Sequence, residues 1–363
     1  MTLNGHRAQI NGSPSRVSAA RNGPPRRRDH WSLLPDDELL QLRICDLGLR
    51  IQGTVLARRI ARLYAELAFR GLRFRPHCWL AEEWFSPDGV PGIAIPFYLA
   101  HPRLARLERK QMREVEGGTE DWCLRILRHE AGHAIDTAYR LRRDKHWQQV
   151  FGDASQPYPD SYEPRPYSRS YVLNLQQWYA QSHPVEDFAE TFAVWLKPWS
   201  RWRSRYGQWP ALKKLQYVEQ LMERLRTCKP PVTSREIIDP ASAVRKTLAT
   251  YYAQRRARYG LESNDAFDRT LRRLFSSASR YADRPSAAAF LQAHRHDLIR
   301  AVADSTGQYR YTVGQLLQEM IARCRELDLR LDRPVRQTRR DAQDVLIAQT
   351  ARYVRDGLHR VTL

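Results

Sequence analysis

The chain has 363 residues, with 60 Lys or Arg against 40 Asp or Glu, a formal charge of +20, and 42% apolar residues. That apolar share supports a sizeable core and excludes wholesale disorder, and the length suits two folded units or one large one with attachments. The charge invites a nucleic-acid partner, but only seven of the 60 cations are lysine and the excess is spread along the chain, so no block reads as a phosphate-tracking element.

Five cysteines, an odd number with no C-x-x-C pair, argue against a disulfide framework and a finger-type zinc site, and favour a reducing compartment. Residues 1–30 lack the apolar stretch of a secretory signal. The longest apolar run, near 92–100, falls far short of the roughly 20 residues a membrane helix needs. These features predict a cytoplasmic protein without a membrane partner.

In chain order, residues 1–30 carry Pro24-Pro25-Arg26-Arg27-Arg28 and no apolar period, which predicts a disordered basic tail. Leu56, Ile60, Leu63 and Leu67 recur at helical spacing and predict a helix over 54–71. Two extended segments follow, 73–81 and 92–99. The turn signal Ser86-Pro87-Asp88-Gly89 between them predicts a hairpin-like pair. A short helix over 103–114 and the break Gly117-Gly118 lead to Thr119-Glu120-Asp121, a cap with first-turn acids that opens a helix to about residue 142. Residues 151–172 form a loop rich in proline and tyrosine, a composition that favours a packed segment. Pro184 opens a helix to about 195, another runs over 211–226, and Lys229-Pro230-Pro231 marks a boundary. Beyond it, helices are predicted over 241–259, 286–303, 313–327 and 338–358. The expected organisation is a tail (1–30), an α+β domain (31–228), a linker (229–240) and an all-α accessory domain (241–363).

The segment that carries chemistry is Arg128-His129-Glu130-Ala131-Gly132-His133, an H-E-x-x-H inside a predicted helix. Residues four apart share a face, so the two imidazoles can converge on one tetrahedral zinc, with Glu130 placed to act on a water at the open position. The plain alternative is a surface helix with two solvated histidines. A third ligand decides between them, and Glu186 and Glu190 stand four apart on the next helix. One carboxylate can bind metal while the other accepts from a ligand histidine's free N–H, which fixes its tautomer. His183, ahead of Pro184, is a rival ligand that reads better as a cap. Asp136 either supports His133 or is a surface acid.

His129–Asp136 followed by Tyr179 and Glu186-Asp187-Phe188-Ala189-Glu190 resembles the gluzincins, zinc proteases with a glutamate third ligand. In layout it is similar to the catalytic domain of anthrax lethal factor. Residues 31–196 resemble a bacterial family of zinc-binding metallopeptidases. The resemblance implies a zincin-like domain and one zinc ion held by His129, His133 and Glu186. It further implies Glu130 as general base, Tyr179 as a donor near the substrate oxygen and Glu190 as support behind the ligands. It also implies that segment 92–99 pairs with an extended substrate, although that segment reads equally well as a core strand. The expected partner is a peptide, protein or related amide, favoured when acidic. The competing reading is a basic nucleic-acid-binding or adaptor protein with a structural or vestigial zinc.

Overall fold

The computed structural model describes residues 30–112, 114–258, 265–355 and 361–362. Apart from His30, the expected basic tail lies outside the described residues. The chain begins with α1 (Asp36–Leu40), α2 (Val55–Phe69), β1 (His77–Ala81), β2 (Gly92–Pro96), α3 (Pro102–Met112), α4 (Glu120–Tyr139) and α5 (Lys145–Phe151). It continues through β3 (Ser161–Tyr162), α6 (Pro184–Leu196), α7 (Trp202–Arg205), α8 (Ala211–Leu225) and α9 (Leu248–Arg258). Next come α10 (Asp265–Leu274), α11 (Ala287–Ala293), α12 (Arg295–Thr306), α13 (Arg310–Glu326), α14 (Val335–Arg355) and β4 (Val361–Thr362). The fold is mostly helical with a small parallel sheet, an α+β arrangement. No helix among the described residues is long and apolar enough to cross a membrane.

The hairpin expected from Ser86–Gly89 is not formed. β1 and β2 run parallel, with His77 opposite Gly92 and Ala81 opposite Pro96. The intervening residues double back, and Phe85 makes an antiparallel bridge to Ala94 on the other edge of β2. Ser86 Oγ then donates to the carbonyls of Gly92 and Glu130, so the turn is spent on joining sheet to helix. At Gly92 a Cβ would meet His77 Cε1 at 2.5 Å and Trp79 Cζ3 at 2.6 Å, so any larger residue would have to displace those two rings.

α4 is capped by the Thr119 hydroxyl, which accepts from the Trp122 N–H, and Glu120 and Asp121 complement its positive end. It stops at Arg140, whose φ of 55° is left-handed, three residues short of the segment predicted for it. Arg128 on α4 grips Glu66 on α2 through two buried contacts, Nε–Oε2 at 2.7 Å and Nη2–Oε1 at 2.8 Å. The other neighbour of α4 is α6, buried along nearly its whole length. An aromatic cluster of Trp147, Phe151, Phe188 and Tyr217 locks α5, α6 and α8 together.

Two sizeable hydrophobic clusters form among the described residues, one drawn from Trp31 through Tyr252 and one from Leu271 through Leu346. Residues 241–258 sit in the first, although the sequence assigns them to the accessory unit. Backbone bonds from Ile44, Cys45 and Leu248 pair the stretch before α9 with residues 42–45, which shortens the helix expected from residue 241. The segment 286–303 breaks at His294 into α11 and α12. The ends of the helices expected to reach 259 and 358 lie outside the described residues.

At Gly132 an added Cβ would lie 2.8 Å from Ala189 Cα and 3.2 Å from its carbonyl oxygen, both backbone atoms that cannot swing aside. Gly132→Ala should therefore lower stability by about 1–3 kcal/mol, the usual cost of overpacking, and Gly132→Val by more. Denaturant midpoints of the two variants test this, and an unchanged midpoint would show that the helices are free to separate.

Candidate metal centre

Burial runs along α4 from Cys123 to Ala138 with the exception of Arg125, so the H-E-x-x-H face looks inward. His129 is 2% exposed, Glu130 7% and His133 9%, which removes the solvated-histidine alternative. α6 supplies the facing acids. Its Pro184 occupies the first turn and the His183 ring accepts from the Val185 N–H at 3.2 Å, so His183 is a cap and stands apart from the ligand cluster.

His129, His133 and Glu186 converge. The two Nε2 atoms are 3.0 Å apart, and Glu186 Oε2 lies 3.1 Å from His133 Nε2 and 3.0 Å from His129 Nε2. On its far side His129 Nδ1 meets Glu190 Oε1 at 2.9 Å. Donation from Nδ1 to that carboxylate leaves the Nε2 of a neutral ring as a bare lone pair. A proton can lie along only one edge of the triangle and leaves lone pairs facing each other elsewhere, whereas one cation can attract all three atoms. The donor set, two imidazoles and a carboxylate, suits zinc. In the absence of a cation, burial disfavours the His129 imidazolium, but the hydrogen bonds and charges of Glu186 and Glu190 outweigh it and raise its pKa.

Glu190 is fully occupied by donors: Asn174 Nδ2 reaches Oε1 and the Leu175 N–H reaches Oε2, each at 2.8 Å. Glu130 is the opposite case. Its Oε2 is buried without a hydrogen-bond partner. Burial lifts its pKa above the usual carboxylate range, against the pull of His133 and His129. A buried carboxylate with an open acceptor is suited to hold a water and take its proton.

Three tyrosines surround the cluster. The Tyr179 ring centroid is 5.5 Å from that of His129, and Tyr162 packs behind it at 6.5 Å. Burial raises the pKa of both phenols, with Glu186 adding to the effect. No spacing in the sequence singles out Tyr158, yet its hydroxyl donates to Glu186 Oε1 at 2.8 Å and its ring stacks on His183 at 3.9 Å. The tyrosine-rich composition of its loop was the available signal.

Asp136 is fully buried, so it is not a surface acid. Its carboxylate takes the Arg142 backbone N–H at 2.8 Å and Nε at 2.6 Å, and Arg142 continues to Asp88 at 3.1 Å. The residue therefore anchors the end of α4, and it makes no hydrogen bond to His133. The β2 segment expected to pair with substrate is buried throughout, with β1 on one edge and Phe85 on the other, so it presents no free edge.

Neither the curated proteins nor the solved structures contain a match to this chain. Residues 104–202, a little over a quarter of the chain, match the model of a family described as "Putative zinc-binding metallo-peptidase". That segment holds His129, Glu130, His133, Glu186 and Glu190, so over the stretch that builds the metal centre the chain is similar to a family of zinc-binding metallopeptidases.

Proposed function

We propose that the chain is a zinc-dependent peptidase of the gluzincin type, with a zincin-like domain over residues 31–228, that hydrolyses a peptide or related amide bond. The observation that carries the reading is the triangle of His129, His133 and Glu186 atoms with edges no longer than 3.1 Å, too close for hydrogen bonding alone to satisfy. The family match over residues 104–202 supports it. One zinc ion held there would supply Lewis acidity, polarising a carbonyl and lowering the pKa of a water.

The chain's own groups do the remainder. Glu130, with its unpartnered oxygen, takes the proton of the attacking water and passes it to the leaving amine. Glu190 holds the Nδ1 proton of His129 and so keeps Nε2 turned to the cluster as a lone pair. Tyr158 engages the outer oxygen of Glu186, leaving the inner one to face both histidines. Tyr179, a phenol that is protonated at neutral pH and whose burial raises its pKa further, is the donor for the oxygen that gains charge during attack. The net charge of +20 favours an acidic peptide or protein substrate.

Metal analysis of purified protein should find one zinc per chain, retained in Glu130→Gln and lost in Glu186→Ala. Glu130→Gln should slow cleavage of a fluorogenic peptide library by about 10²–10⁴-fold. A wild type devoid of zinc, or a Glu130→Gln variant with full turnover, would sink the reading.

Glu190→Ala should weaken zinc binding by about 10–100-fold, as removal of a ligand's hydrogen-bond partner does elsewhere. Tyr158→Phe should weaken it less. Competition with a chelator measures both, and an unchanged affinity in Glu190→Ala would mean that His129 is held in some other way.

Acidification should also loosen the metal, because zinc must displace the proton that Glu186 and Glu190 stabilise on His129. With the His129 pKa raised in the metal-free protein, the proton's contribution to stability is complete below the ordinary histidine value. It is lost as pH rises through the raised one. Zinc affinity that fails to rise from about pH 6 to about pH 8 would contradict this.

A further inference from the structure

A cavity of about 580 Å³ lies near the N-terminal end of α4, where Gly118 forms part of its wall. At about 1.5 Å of rise per residue, His129 is roughly 15 Å further along. Arg50, Arg58, Arg59 and Arg106 line the cavity, and no acidic residue does so among the described residues. Arg59 is anchored by the carbonyls of Gly117 and Gly118 at 3.0 and 2.9 Å. The guanidinium groups of Arg50, Arg58 and Arg106 are on exposed residues and pair with no carboxylate among the described residues. Nearby arginines behave differently: Arg43 finds Asp46, Arg62 finds Glu120 and Arg103 finds Asp36.

The backbone reinforces the charge. α2 starts beside the cavity at Thr54 and α3 starts there at Pro102, and neither has an acid in its first turn. The positive ends of two helices therefore border the same cavity as the arginines, a setting that favours an anion. Leu49, Leu99 and Ala105 give the same cavity an apolar wall. Its volume is that of a small-molecule site, and planar guanidinium forks match the oxygens of a phosphate. A nucleic-acid backbone, by contrast, needs cations set in a line along an open face.

We propose that this cavity binds a phosphate-type dianion, either free phosphate or the phosphate monoester of a small molecule. The proposal is independent of the zinc reading. Titration calorimetry on the full chain at constant ionic strength, with inorganic phosphate and with phenyl phosphate, tests it. Binding should weaken at least tenfold in Arg58→Ala and in Arg106→Ala, while zinc content and the ligand-free melting point stay unchanged. Tighter binding of phenyl phosphate would identify a monoester as the natural form, and equal binding would identify free phosphate. The proposal would be overturned by no heat with either probe, by an equal effect from chloride at matched ionic strength, or by binding that ignores both substitutions. Retention of duplex DNA through the same arginines, without phosphate binding, would overturn it in favour of a nucleic acid.

Discussion

At Gly132 the helix α4 approaches Ala189 of α6 so closely that a single added carbon would lie 2.8 Å from the Ala189 Cα, and the chemistry of the centre is arranged around that point. His129 and His133 stand three residues before Gly132 and one after it. Glu186 and Glu190 stand at the same two offsets from Ala189. Each helix thus brackets the contact with a pair of side chains one turn apart, and the two pairs meet around it. Long helices packed through larger residues keep axes about 8–10 Å apart, and small residues at the contact let the flanking side chains meet over shorter spans. The 3.0–3.1 Å separations among His129, His133 and Glu186 are a product of this approach as much as of the side chains themselves.

Such packing puts three carboxylates of one helix into the interior, and the fold disposes of each differently. Glu186 faces the histidines, Glu190 takes three donors, and Asp187 turns the other way to Lys214 Nζ at 2.5 Å. Asp187 is only 2% exposed, and burial pushes its pKa up to about 7 against the lysine's pull. Acids four apart on a bare helix repel mildly. Here the repulsion is overcome by partners from α4, the loop before α6 and α8. Arg128 and Glu66 extend the pattern to α2, so α4 is held by charged pairs on one flank and by backbone contact on the other.

What the sequence reveals follows from what spacing alone can determine. His129 and His133 are legible because an α-helix places residues four apart on one face, whatever surrounds it. Glu186 and Glu190 are legible for the same reason, joined by the need for a third donor. Strand direction is not set by a turn signal: Ser86–Gly89 has the composition of a tight turn, yet the chain uses it to bring Phe85 back along β2 and leaves β1 parallel. Tyr158 is invisible to periodicity because it reaches Glu186 from an irregular loop 28 residues away. The role of Asp136 depends on the left-handed turn at Arg140, which brings Arg142 back onto it. The division near residue 240 fails to predict where α9 packs because Leu248, Tyr251 and Tyr252 join the first core through tertiary contacts that no local pattern announces.

The compactness of the centre along the chain has a bearing on how the molecule is made. From His129 to Glu190 the side chains of the candidate centre span 62 residues, and the core around them ends at Tyr252. A chain grows at about 5–20 residues per second, and domains tend to fold as units in order of synthesis. On that scale the core that frames the centre is fully synthesised on the order of 10 s before Leu346, where the second cluster ends. The candidate centre can then be assembled on a nascent chain, before the later helices exist to pack.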